Sequence, residues 1–179
     1  MKNKLTFFLI FTILSSSLYS QIAVAKLVGK DAGNYKLGYG LFAYYDIPIN
    51  EMGNRSFRIE LIDVAYFPSK NTDIYGAKGY VSIKLGYKNI FSETKTGFYI
   101  EPQLGYCRVV ITNGGVSKNY GDGIAIAGEL GYAIEVGERG HALNFGLKYE
   151  TDRAGADYTI SSVGFRVSYS FNFLKRREG

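Results

Sequence analysis

Polar and apolar residues alternate one by one through long stretches of this chain, most clearly near its C-terminus. Between residues 157 and 173, Val163, Phe165, Val167, Tyr169, Phe171 and Phe173 share one parity, and Gly164, Arg166, Ser168, Ser170 and Asn172 share the other. Successive strand side chains point to opposite faces, so this period of two describes a ribbon with one apolar and one polar surface. In a soluble sandwich the apolar surface meets a core; in a transmembrane barrel it meets lipid, and the polar surface meets the lumen. The same alternation recurs at residues 35–46, 55–67, 80–88, 98–108, 124–136 and 141–150, which makes seven clear strands. The run Ile-Ala-Val-Ala-Lys-Leu-Val at residues 22–28 supplies an eighth.

Within residues 55–67 the phase changes. Phe57, Ile59 and Leu61 are apolar against Arg58 and Glu60, and then Ile62, Val64 and Tyr66 take over. One extra residue flips every later side chain, so a bulge is expected at Asp63. The strands recur about every 20 residues, against roughly 8–12 in small soluble all-β folds. A tilted membrane-spanning strand needs about 9–11 residues, which suits these longer units. Bacterial single-chain barrels use an even strand count. The predicted fold is therefore all-β, an eight-stranded antiparallel up-and-down transmembrane β-barrel. Its 16 Tyr, 12 Phe and 22 Gly against 3 Pro suit pleated sheet, aromatic girdles and tight turns, although Trp is absent.

The first 20 residues read differently. A basic start with Lys2 and Lys4, an apolar run over residues 5–14 and a small, polar stretch over residues 15–20 match the three regions of a secretory signal peptide. The apolar run is roughly half the length that spans a bilayer as a helix. Cleavage is expected near Gln21. With no cysteine at that point, the exported protein is expected to carry no lipid anchor. The chain then divides into a signal peptide at 1–20, a barrel at 21–173 and a basic C-terminal tail at 174–179. Removing Lys2 and Lys4 lowers the formal charge from +5 to +3. There is no basic block of the kind that marks a nucleic-acid surface, so no nucleic-acid partner is expected. The single Cys107 excludes an internal disulfide framework.

Parity also assigns the lumen. Arg58, Lys84, Lys148 and Arg166 fall on inward positions beside Glu60, Glu101, Glu129 and Glu150. Isolated buried charges are costly, so opposite pairs in a closed, salt-bridged interior are expected. The alternative, a narrow channel lined by these charges, needs a wider barrel than eight strands supply. With the last strand ending on the periplasmic side, residues 29–34, 68–78, 113–122 and 151–156 become extracellular loops, and 47–54, 89–96 and 137–140 periplasmic turns. Lys70, Lys78, Lys118 and Tyr120 are then the candidate contacts for an extracellular ligand.

Catalytic chemistry has little support. The lone His141 sits at a turn on the lipid-facing parity with no serine two residues on, so an interfacial role is expected and an enzyme is not. His141 and Cys107 lie far apart and make no transition-metal pattern. Asp73, Asp122, Asp152 and Asp157, in or beside outer loops, fit turn chemistry as well as calcium. No cofactor is expected.

The export signal, alternating strands such as Gly-Phe-Tyr-Ile-Glu-Pro-Gln-Leu-Gly-Tyr at residues 97–106, and the aromatic end Val-Ser-Tyr-Ser-Phe-Asn-Phe at 167–173 carry a resemblance. The chain resembles the small eight-stranded outer-membrane barrels of Gram-negative bacteria, of the OmpX and OmpA transmembrane-domain type. The resemblance covers essentially the whole mature chain and lies in architecture, not in a diagnostic motif. It implies an outer-membrane location, outer-membrane lipid as the surrounding partner, and a structural or surface-interaction role. It also implies insertion by the barrel-assembly machinery, which in that family reads a final strand ending in Phe; here the chain runs six residues past Phe173. The Ser-Leu-Tyr-Ser-Gln boundary resembles signal peptides of the Bacteroidetes. The other readings are a narrow channel, an outer-membrane lipid-modifying enzyme, and a soluble periplasmic β-barrel whose aromatic rows would face a core.

Overall fold

The computed structural model describes residues 21–170, apart from 31, 72–75, 114–115, 137–140 and 156–157; the side chains of 113, 116–120 and 170 are also left out. Eight strands follow in order: β1 (Gln21–Val28), β2 (Gly38–Pro48), β3 (Arg55–Phe67), β4 (Ala77–Ile90), β5 (Gly97–Asn113), β6 (Val116–Val136), β7 (His141–Ala154) and β8 (Tyr158–Ser170). Each pairs with its sequence neighbours, and β8 closes antiparallel onto β1 from Ile22 opposite Val167 to Val28 opposite Ser161. Closure removes the exposed sheet edges that an open eight-stranded sheet would present. The result is an up-and-down antiparallel β-barrel.

The alternation in sequence becomes the two walls of the barrel. Leu85, Leu104 and Leu130 are each at least 60 % exposed on the outside, as are many other outward aliphatic side chains to a lesser degree. Water would make such a surface unstable; a bilayer core makes it the favourable one. Aromatic residues flank this aliphatic band at both ends. At the end away from the chain termini, here the far end, Tyr39 and Tyr66 pair with ring centroids 5.5 Å apart, joined by outward Tyr106 and Tyr149. At the terminal end the pairs are Phe57 with Tyr87 at 5.9 Å, Phe98 with Tyr132 at 4.9 Å and His141 with Tyr169 at 5.8 Å. Along β3 the two girdles are nine residues apart, and along β5 eight. At about 3.4 Å per residue and about 40° of tilt, the band between them is roughly 20–23 Å tall, close to the height of an outer-membrane apolar belt.

Several boundaries differ from the sequence reading, each for a physical reason. The bulge lies at Leu61 and Ile62, which both face outward, and not at Asp63; the register shifts there, and Asp63 is turned into the lumen. Tyr35 does not open a strand face to lipid. It makes an isolated bridge to Ser69 and is 3 % exposed, folded over the mouth of the barrel. The expected loop at 113–122 is mostly hairpin, since β5 and β6 stay paired as far as Asn113 opposite Val116. The expected loop at 151–156 is shortened in the same way, because β7 runs to Ala154 opposite Tyr158. Residues 22–28 do form the first strand. The signal segment, Phe171, Phe173 and the tail at 174–179 lie outside the described residues.

Candidate functional site

The lumen is the most densely organised part of the molecule, and strand parity puts its side chains there. All eight charges assigned inward from sequence point into it and are buried: Arg58, Glu60, Lys84, Glu101, Glu129, Lys148, Glu150 and Arg166. They form two connected groups. In the middle, Lys84 Nζ lies 2.7 Å from Asp63, 3.0 Å from Glu60 and 2.5 Å from Glu150. Lys148 Nζ contacts the same Asp63 at 2.6 Å and Glu150 at 2.5 Å. Arg166 reaches from β8 to Glu60 at 2.7 Å and to Glu129 at 3.2 Å. Five strands are thereby tied across the barrel.

Nearer the terminal end, Arg58 forks onto Asp46 at 2.7 and 2.8 Å and holds Glu101 at 2.8 Å. Inward aromatic rings support both groups. The Arg58 guanidinium lies 3.4 Å from the Tyr44 centroid, and that of Arg166 3.3 Å from Phe42. Tyr99 donates to Glu129 at 2.5 Å, and Tyr80 to Glu150 at 3.1 Å. Below them Lys88 donates to Asn144 at 2.6 Å and sits 4.2 Å from the Tyr99 ring. Desolvated ions need this level of hydrogen bonding, because an unpaired one costs several kcal/mol (about 3–5 when a partner is removed).

The far end of the lumen is closed differently. Leu27, Tyr35, Phe67, Tyr80, Val109, Ala154 and Ile160 pack into an apolar plug above the ionic layer. Space remains on the β1 and β8 side, where the small Ala23, Ala25, Ser162 and Gly164 face Asp63, Lys148, Glu150 and Arg166 around a cavity of about 20 Å³. That is room for roughly one water molecule. A plug, an ionic layer and a tyrosine layer therefore succeed one another along the axis.

The surface contacts expected from sequence fare unevenly. Lys70 is exposed beyond β3. Lys78 is not a loop contact: β4 begins at Ala77, its even positions point inward, and Lys78 is 5 % exposed against the rings of Tyr35 and Tyr158. Lys118 pairs through its backbone with Ile111, and Tyr120 falls at the register shift opposite Val109 and Val110. Both belong to β6, not to a loop, and their side chains lie outside the described residues. Of the loop acids, Asp122 is bound by the exposed Arg108 at 2.6 and 3.0 Å, and Asp152 is buried in the lumen. Asp73 and Asp157 lie outside the described residues. Among the described residues, no group of three His, Cys, Asp or Glu side chains could hold a metal ion.

A closed eight-strand barrel with an apolar outer belt, two aromatic girdles and a filled interior defines the class of small outer-membrane β-barrels. Within that class the chain is similar in structure to the Neisserial surface protein A, NspA. The TM-score is 0.68 at 15 % identity, with 87 % of this chain and 96 % of that one covered. It is also similar to Ail, the attachment invasion locus protein of Yersinia pestis, with a TM-score of 0.51 at 14 % identity, covering 86 % and 95 %. At these identities the likeness is one of fold. No family model and no curated protein matches the chain.

Proposed function

We propose that this protein resides in the outer membrane and acts there as a structural or surface-interaction barrel, not as a channel and not as an enzyme. The packed lumen carries the reading. With its interior filled by ion pairs and rings, the molecule has its outer wall and its exposed ends left for function. Outer-membrane lipid is the partner of the wall, the barrel-assembly machinery the partner during insertion, and an extracellular ligand the partner of the far end. Two features support the far end as the cell exterior. It carries the longest connections, at 29–37 and 68–76. The β5–β6 hairpin also projects there, since β6 pairs with β7 only from Gly123 onward but with β5 as far as Val116. Both bear on direction because outer-membrane barrels place short turns on the periplasmic side and longer loops outside.

Planar-bilayer recording of the purified barrel tests the closed lumen: no stable conductance step is expected, and a reproducible open state overturns the reading in favour of a narrow channel. Membrane fractionation with heat-dependent gel mobility tests the location. The protein is expected in the outer-membrane fraction with a compact, heat-labile form, and recovery as a soluble periplasmic protein overturns it.

A further inference from the structure

Asp152 stands apart from both ionic groups of the lumen. It is fully buried, joins none of the ion pairs among the described residues, and neither of its carboxyl oxygens meets a nitrogen or oxygen donor. The ammonium groups beneath it are already held, Lys84 by Glu60, Asp63 and Glu150, and Lys148 by Asp63 and Glu150. The Tyr80 hydroxyl is likewise turned to Glu150. What does meet Asp152 is the thiol of Cys107, the chain's single cysteine. Cys107 on β5 and Asp152 on β7 lie on either side of β6, which presents Gly123 and Ala125 between them and so leaves room for the two side chains to meet. The titratable groups facing Asp152 are Lys148 and Glu150 on its own strand, Asp63 on β3, Tyr80 and Lys84 on β4, and Cys107 on β5. Opposite it on β6 and β8 stand the apolar Ala125 and Ile160.

The apolar plug lies directly above. Ile160 is the backbone partner of Asp152, and Val109 and Ala154 stand two residues further along from Cys107 and Asp152. A carboxylate in this seat would be an unpaired buried ion with Glu150 as a like-charged neighbour on the same face, a costly arrangement on both counts. The cavity of the lumen borders Asp63, Lys148, Glu150 and Arg166, not Asp152. A proton is the cation that needs neither space nor further ligands. We propose that Asp152 is a proton-held latch for the far-end plug. As the acid it shares hydrogen bonding with the Cys107 thiol and lets Val109, Ala154 and Ile160 close over it. When hydroxide takes the proton, the carboxylate draws in water from the far mouth and the plug loosens. The water has a short way to come, because Asp152 is three residues beyond Tyr149 of the far girdle, roughly 8 Å past the apolar belt. The closed plug holds the proton and the hydrated carboxylate has released it, so closure is complete in acid and is lost as the pH rises. The ionic layer below stays in place, and the latch frees the plug without opening a channel.

Cys107 reports on the latch, since its thiol is reached when the plug yields. The test is the rate at which methyl methanethiosulfonate modifies Cys107 in the full-length mature barrel in detergent micelles, followed from roughly pH 7 to pH 9. Thiolate formation alone raises such a rate about tenfold per pH unit. Opening that also releases a proton multiplies this, so the unaltered protein is expected to exceed that slope and approach about a hundredfold per unit. Asp152→Asn and Asp152→Ser, which have no proton to lose there, are expected to follow the tenfold line. Heat-dependent gel mobility confirms that each protein remains a folded barrel. A tenfold slope in the unaltered protein overturns the latch whatever the variants do. A steep slope that survives in the variants assigns the opening to another group and overturns it too, as does a thiol that stays unreactive over the whole range.

Discussion

Lys84 shows how much of the interior hangs on one side chain. Its ammonium group lies within 3.0 Å of Glu60, Asp63 and Glu150 and accepts no competing water-facing position, being fully enclosed. Replacing it by methionine preserves most of the volume and leaves three carboxylates facing Lys148 and Arg166 alone. Lys84→Met is expected to destabilise the barrel by about 3–5 kcal/mol, read as a lowered urea midpoint in lipid vesicles. Arg108→Ser removes an ion pair of similar geometry at the exposed rim, and no measurable shift is expected, because solvent screens that pair. Parity reveals Lys84 and its seven charged companions because each alternates with its neighbours on one side at least; Glu60 is the last residue in phase before the bulge. It missed Asp63, because the bulge that turns this residue inward could be set at either of two adjacent places. Lys78 and Asp152 were hidden too, since polar residues near turns read as loop until the strand ends are known.

At the scale of the element, β6 carries glycines on both of its faces, and two of them show what each face requires. Gly131 points inward, where an added Cβ would strike the Tyr99 ring and the backbone oxygen of Phe145. Tyr99 needs that seat to donate to Glu129, which in turn holds Arg166. Gly128, three residues earlier on the outward face, has nothing within 4 Å of such an atom. Gly131→Ala is therefore expected to cost roughly 1–3 kcal/mol through overpacking, while Gly128→Ala is expected to be neutral or slightly stabilising, since alanine restricts the unfolded chain. Matched urea unfolding of the two variants checks the pair, and equal destabilisation would contradict the assignment of faces. The sequence marks both residues only as glycines within a strand. Which one seats a ring depends on Tyr99 arriving from β5, a long-range contact with no local signature.

For the molecule as a whole, the remaining variable is direction: which end of the barrel faces the cell exterior. The apolar belt is nearly symmetric between its girdles, so lipid solvation alone does not orient it. The connections and the projecting β5–β6 hairpin do, if long loops lie outside. Cys107 makes the direction measurable. It is the chain's one thiol and is fully buried, so in the folded barrel an introduced cysteine is the sole reactive one. A membrane-impermeant maleimide added to intact cells is expected to label Asn71→Cys, beside the far-end bridge. It is expected to label Glu51→Cys, in the connection between β2 and β3, only after the outer membrane is permeabilised. Both positions are exposed and neither joins the lumen network, so differences in labelling report side and not folding. The reverse pattern would put the end that carries the longest connections on the periplasmic side and overturn the orientation.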